Sequence, residues 1–146
     1  MAQIIQATTR DIEAVARLFR AVRSACLPYL PDIHTPAEDL SYFRDCVFRT
    51  CEVWLAGVGE PEGFCAFQPG WVDHLYVRPD RQGKGIGTAL LARAMQDNAR
   101  LELWVFQRNT TAISFYRARG FRLVRRTDGS RNEEREPDAL FAWAKN

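Results

Sequence analysis

Leu75-Tyr76-Val77-Arg78-Pro79-Asp80-Arg81-Gln82-Gly83-Lys84-Gly85-Ile86-Gly87-Thr88 is the stretch whose reading decides the fold. It runs from a β-prone segment through a turn with glycine at every second position into the opening of a helix. Behind it, Ile86, Leu90, Leu91, Ala94 and Met95 recur at helical spacing, and Leu101 to Phe106 reads as the next strand. A helix between two strands predicts a crossover that joins them in parallel. Glycine clusters at such a turn for a physical reason. Without a Cβ the backbone can approach an anion closely and reach positive φ, so successive N–H groups converge at the positive end of the helix dipole. That is the chemistry of a pyrophosphate cradle, although a glycine cluster by itself is equally an ordinary helix-opening turn.

Upstream, three β-type runs, Glu52 to Ala56, Gly63 to Phe67 and Trp71 to Val77, are separated by short turn-rich connections and predict an antiparallel meander. Nearer the start, Ile4, Ile5 and Ala7 form a short strand. Thr8-x-x-Asp11 then offers a capping box to a helix whose apolar face is Ile12, Val15, Ala16, Phe19 and Val22. The three prolines of Leu27 to Pro36 predict a loop, and a shorter helical pattern resumes over Ala37 to Val47. Downstream, Asn109 can cap a helix carrying Ala112, Ile113, Phe115 and Tyr116, with Gly120 at its C′ position. Phe121 to Val124 and Ala139 to Ala144 read as the last strands, on either side of the polar stretch Arg125 to Asp138. The predicted order is β-α-α-β-β-β-α-β-α-β-β, an α/β chain with a mixed, mainly antiparallel central sheet flanked by helices.

The chain has 146 residues, a length suited to one domain over residues 1–146 with a core that needs neither disulfides nor metal. Twenty basic against 18 acidic residues leave a net charge of +2, too little for phosphate-backbone binding, so nucleic acid is not an expected partner. Cys26, Cys46, Cys51 and Cys65 lack C-x-x-C spacing, and His34 and His74 lie outside any ligand pattern, so no metal is expected. Arg10, Asp11, Glu13, Arg17 and Arg20 interrupt the first twenty residues, and no run of 18 apolar residues occurs. These features predict no membrane association, a cytoplasmic location and reduced thiols. A homodimer, the commonest oligomer, is compatible with the sequence.

Two familiar nucleotide motifs fail. A P-loop needs Ser or Thr after its lysine, where Lys84 is followed by Gly85, and the glycines at 83, 85 and 87 lack the G-x-G-x-x-G spacing of a dinucleotide fingerprint. The fuller pattern Gln82-x-x-Gly85-x-Gly87 after Leu75-Tyr76-Val77-Arg78-Pro79 instead resembles the acetyl-CoA motif of the GCN5-related N-acetyltransferases. Asn109-x-x-Ala112-x-x-Phe115-Tyr116 before Gly120-Phe121 is similar to that family's second cofactor segment, and the element order from Ile4 to Ala144 resembles its fold.

The resemblance implies acetyl-CoA as co-substrate, held through Leu75, Tyr76 and Val77 along the pantetheine arm. It implies pyrophosphate contacts from Gln82, Gly83, Lys84, Gly85, Ile86, Gly87 and Thr88, with Asn109 and Tyr116 reaching the cofactor's other end. It also implies that Trp71 to Val77 splays from Leu101 to Phe106 to admit the thioester. The reaction would be direct attack of an amine, with Tyr116 matching the family's phenol that protonates the departing thiolate; a phenol with a reference pKa of about 10 keeps its proton at neutral pH. The family often carries its base at the position of Asp73.

Strand alternation puts Trp71, Asp73, Leu75 and Val77 on one face and Val72, His74 and Tyr76 on the other. On that reading His74 ranks second as base, behind Asp73, and a water relay is the third route. Tyr29, Asp32 and His34 of the proline-rich loop, together with Trp71, are the candidate acceptor contacts, joined by the charged run Asn132 to Asp138. The expected acceptor is a primary amine of a small molecule. The alternatives are a protein or peptide amine, or an acyl-CoA-binding module without catalysis.

Overall fold

The computed structural model describes residues 3–57 and 59–146. Strand β1 (Ile4–Gln6) leads through a tight turn, Thr9–Asp11, into helix α1 (Ile12–Cys26). Thr8 and Asp11 close a reciprocal capping box at that turn, with the Thr8 N–H donating to Asp11 Oδ2 at 2.8 Å. Helix α2 (Pro36–Tyr42) opens one residue before its apolar pattern, because proline is tolerated in a helix's first turn and Thr35 with Glu38 forms a second capping box. The chain then widens into a π-helical turn, Phe43–Val47, and ends in a last turn α3 (Phe48–Thr50). Strands β2 (Glu52–Ala56), β3 (Gly63–Gln68) and β4 (Trp71–Val77) follow, then α4 (Ile86–Asp97), β5 (Arg100–Phe106), α5 (Thr110–Ala118), β6 (Arg122–Arg126) and β7 (Asp138–Ala144).

The seven strands form one sheet in the order β1-β2-β3-β4-β5-β7-β6. Among the described residues only β4 and β5 are parallel, as the α4 crossover requires, and every other neighbouring pair is antiparallel. The alternation along β3 divides the core. Phe64 and Ala66 face a cluster built by Val15, Phe19 and Val22 of α1 with Phe43 and Val47. Cys65 and Phe67 face a second cluster, where Leu90, Leu91 and Ala94 of α4 and Tyr116 of α5 meet Leu101, Leu103, Val105 and Phe141.

Two irregularities interrupt β4. Ala66 pairs with His74 but Phe67 pairs with Val72, so Asp73 is an extra residue, a β-bulge. The bulge breaks the alternation expected from sequence. Val72 joins Leu75 and Val77 on the α4–α5 face, while His74 and Tyr76 pack on the α1 face. The second irregularity is at the seam with β5. The two strands share one registered pair, Trp71 with Glu102, whereas β5 and β7 pair over seven residues from Arg100 to Phe106. Beyond that single pair the sheet is open.

Candidate active site

The open seam leaves backbone groups of β4 facing no strand. The Arg78 N–H donates to Glu62 O at 2.8 Å, toward β3. Because strand period is two, Tyr76 and His74 present their backbone to β3 as well, and Leu75 and Val77 present theirs to the gap. Consistent with this, Val77 O is reached by Gln82 Nε2 at 3.0 Å from the far side. Such groups need partners when enclosed. An extended ligand lying in the gap can supply them.

Immediately beyond β4 the glycine turn delivers the N-terminus of α4. Gly83 and Gly85 have φ of +76° and +85°, a region costly for residues with a Cβ. A Cβ built on either meets no atom within 4 Å, so it is the backbone conformation that requires glycine there. Gly87 is different, since a Cβ there would stand 3.3 Å from the Phe115 ring. Gly87 therefore lets α4 and α5 approach. The α4 terminus has no side-chain cap, in contrast to Thr35 at α2 and Asn109 at α5, and its first internal bond runs from the Ala89 N–H to Gly85 O at 3.0 Å. The N–H groups of Ile86, Gly87 and Thr88 precede that bond and sit at the positive end of the helix, an arrangement that suits a pyrophosphate. The Ile86 side chain is buried, Lys84 is exposed, and Thr88 Oγ1 accepts from Arg119, whose guanidinium stacks 3.8 Å from the Phe115 ring centroid.

On the opposite face a cleft of 820 Å³ lies between the α1 end, the proline-rich loop, α2 and the β6–β7 loop. Five carboxylates line it (Asp32, Glu38, Asp39, Glu133 and Glu134) against the cations Arg20 and Arg23 and the imidazole of His34. Two ion pairs and a hydrogen-bonding contact organise the walls: Arg20 to Asp39 at 2.7 Å, Arg23 to Glu134 at 2.6 Å, and His34 Nε2 to Glu133 Oε2 at 3.0 Å. The last two tie the β6–β7 loop across the cleft mouth. Phe19, Tyr42 and His74 also line the cleft.

Of the residues expected from sequence, Asp32 and His34 line this cleft, while Tyr29 and Trp71 are not among its lining residues. Tyr29 lies under the Arg108 guanidinium, 4.5 Å from its ring centroid, and Arg108 in turn pairs with the buried Glu136 through two bonds of 2.9 Å. Trp71 sits at the paired start of the seam. Asp73 projects from the bulge, exposed, and accepts from Cys51 Sγ at 2.9 Å and Gln68 Nε2 at 2.7 Å, outside the cleft lining. Burial, then the Asp73 contact, push the Cys51 thiol up to about 12, so it stays a donor. Tyr76 packs its ring against Phe19 and Phe64 and is engaged by Arg23. Asn109 caps α5, its Oδ1 accepting from the Ala112 N–H at 3.2 Å. Tyr116 is buried between Phe115 and Phe121 beside the gap-facing Leu75 and Val77; burial, followed by Cys65 and Tyr76, pushes its phenol well above the ordinary tyrosine value. It keeps its proton throughout the accessible range.

Tyr42, Arg20 and Arg23 are cleft residues that sequence reading missed. The two arginines carry a faint signal, three residues apart on the polar border of the α1 apolar face. Tyr42 carries none.

His74 is lowered to about 4, first by desolvation and next by Arg23, against a raising contribution from Asp73. The folded state thus binds the proton more weakly than the unfolded chain with its value of 6.5. Stability is complete above about pH 6.5 and is lost as pH falls toward 4, by up to roughly 3 kcal/mol from this group. Denaturant melts between pH 7 and 4.5 should show that slope, and His74→Gln should flatten it; an unchanged slope would place the acid sensitivity elsewhere.

Comparison with known proteins agrees with this geometry. The family model for an acetyltransferase (GNAT) domain matches residues 49–123. The chain is 30% identical over 117 residues to the peptidyl-lysine N-acetyltransferase YiaC of Escherichia coli, an alignment covering 74% of this chain and 79% of that protein. In fold it is similar to the solution structure of apo YjaB from Escherichia coli, with TM-score 0.80, 21% identity and coverage of 100% of this chain and 99% of the other. It is similar also to the PaiA N-acetyltransferase of Thermoplasma acidophilum in complex with coenzyme A, with TM-score 0.73, 17% identity and 99% coverage of both. The opened seam, the uncapped helix behind a glycine turn and these likenesses lead to one assignment: the chain belongs to the GCN5-related N-acetyltransferase family, whose members use acetyl-CoA, and is an N-acetyltransferase.

Proposed function

We propose that this chain acts as a single acetyltransferase domain that moves the acetyl group of acetyl-CoA to a primary alkylamine of a small molecule. The observation that carries the reading is the open β4–β5 seam, with an anion-seeking helix terminus on one face and a carboxylate-rich cleft on the other. When bound, acetyl-CoA supplies an electrophilic thioester carbonyl and a thiolate leaving group. Gly83 to Thr88 would hold its pyrophosphate, and the gap-facing backbone of Leu75 and Val77 its pantetheine arm. Tyr116, kept protonated by burial, would give its hydroxyl proton to the departing sulfur. His74, the sequence's second-ranked base, lines the cleft and would take the proton there, whereas Asp73, the first-ranked one, is engaged by Cys51 and Gln68 on the bulge outside the cleft lining.

A volume of 820 Å³ suits a small ligand, and the ties from His34 to Glu133 and from Arg23 to Glu134 narrow the mouth. The carboxylate excess favours a cationic head group over an anionic one. A second reading, the side chain of a peptidyl lysine, is favoured by the name of the relative YiaC. Thiol release from acetyl-CoA with a panel of alkylamines, diamines and lysine peptides, followed by mass spectrometry of the products, decides between them. Acetylation of the small amines at higher kcat/KM than any peptide is expected; the reverse order assigns a peptide acceptor, and thiol release with none of them would remove the amine reading.

Gly85→Val is expected to weaken coenzyme A binding at least tenfold in titration calorimetry, because the β-branched residue resists the φ of +85° that aims the cradle. Equal affinity in a folded variant would move the anion site elsewhere. Tyr116→Phe keeps the ring in its cluster and removes the proton donor. Its kcat should fall by ~10²-fold with little change in KM for acetyl-CoA, and a wild-type kcat would leave water as the proton source.

A further inference from the structure

Tyr42 Oη and His74 Nε2 meet at 2.8 Å in the acceptor cleft, which both residues line. Tyr42 ends α2 and is 42% exposed, so its side chain is the reachable member of the pair. Behind it the imidazole is enclosed by the rings of Phe19, Phe43, Phe64 and Tyr76, with centroids between 5.5 and 6.3 Å away. The other ionisable groups facing that ring are Arg23 from α1 and Asp73 and Tyr76 from β4 itself. A phenol that keeps its proton can donate to the lone pair of a neutral imidazole, which fixes the remaining ring proton on Nδ1.

We propose that Tyr42 is the residue through which the acceptor nitrogen sheds its proton: Tyr42 Oη receives that proton while its own passes to His74 Nε2. The inference rests on the reading of this cleft as the amine site. One N–H bond breaks and one O–H bond forms; the original O–H bond breaks and an N–H bond forms on the imidazole. The electron pair of the broken N–H bond stays on the acceptor nitrogen. The imidazolium returns its proton to water by the same route once product has left. A histidine lowered to about 4 does not strip a free alkylammonium of reference value about 10. The nitrogen that loses its proton here is one becoming an amide nitrogen, whose basicity collapses as the new bond forms, so a weak base suffices. The ammonium accordingly gives its first proton to solvent water and attacks as the free base, and the relay carries only the proton lost as the amide forms.

The test uses Tyr42→Phe, His74→Gln and the double variant with acetyl-CoA and two probe amines, 1,5-diaminopentane and a peptide with one lysine. Each single variant is expected to lose ~10–100-fold in kcat with KM for acetyl-CoA unchanged, and the double variant to be no slower than His74→Gln alone. Multiplying losses would mean that Tyr42 acts independently of His74 and would overturn the relay. A readout independent of turnover comes from ¹⁵N NMR of the two histidines, assigned with His34→Asn. Wild-type His74 should show the Nδ1–H tautomer at pH 7, and in Tyr42→Phe it should titrate at higher pH, because the neutral ring has lost its donor. A wild-type Nε2–H tautomer, or a titration indifferent to Tyr42→Phe, overturns the proposal even if neither probe is acetylated, whereas absence of turnover alongside the expected spectra counts against the acceptor reading only.

Discussion

The single registered pair between β4 and β5 is the constraint on which the rest of the molecule depends. A parallel ladder that continued past Trp71 and Glu102 would consume the backbone groups of Leu75 and Val77 and close the sheet. Because it stops, two strands at the centre of a seven-stranded sheet diverge where a hydrophobic core would otherwise be continuous. The bulge at Asp73 contributes by turning β4 just past the last paired residue. The two core clusters lie on opposite faces of the sheet, one under α1 and the other under α4 and α5, and the β4–β5 seam is the place where ligands from the two faces can meet.

Charge around the seam is arranged in opposite senses. On the α4–α5 face the uncapped helix terminus offers partial positive charge, joined by Arg119 beside Thr88. On the α1–α2 face the carboxylates outnumber the arginines, yet most are held in pairs, among them the nearly buried Asp39 with Arg20. Removing one partner of such a pair would leave an uncompensated charge, a larger effect than the worth of the intact pair. The pairs therefore fix the cleft's shape and the position of the β6–β7 loop more than they add to stability. Within this frame the low dielectric around His74 and Tyr116 keeps one imidazole neutral and one phenol protonated at neutral pH.

Much of this was legible in the sequence, and the reasons are local. The order of elements followed from apolar periodicity, from the capping pattern at Thr8 and Asp11 and from Gly120, whose φ of +93° closes α5 as its position suggested. The α4 terminus could be read because the need for glycine at 83 and 85 is a property of three or four consecutive residues. Local chemistry also misled in one place. Alternation along Trp71 to Val77 predicted that Val72 shares a face with His74, and the bulge overturned it because an extra residue in one strand is set by pairing with β3, which the β4 sequence does not record.

What the sequence by itself determined is therefore the ladder of elements, the glycine turn before α4 and the family to which both point. The cleft on the α1–α2 face was decided only by tertiary structure. Arg23 and Glu134 are 111 positions apart, His34 and Glu133 are 99 apart, and Tyr42 and His74 are 32 apart, so no spacing rule connects them. Their meeting depends on how far α1 and α2 stand from the sheet and on where the β6–β7 loop crosses, and those distances are fixed by packing of Phe19, Phe43 and Phe64 between the layers. A turn whose shape is set by backbone is written in consecutive residues, whereas a cleft made of side chains from four elements exists only once those elements have packed.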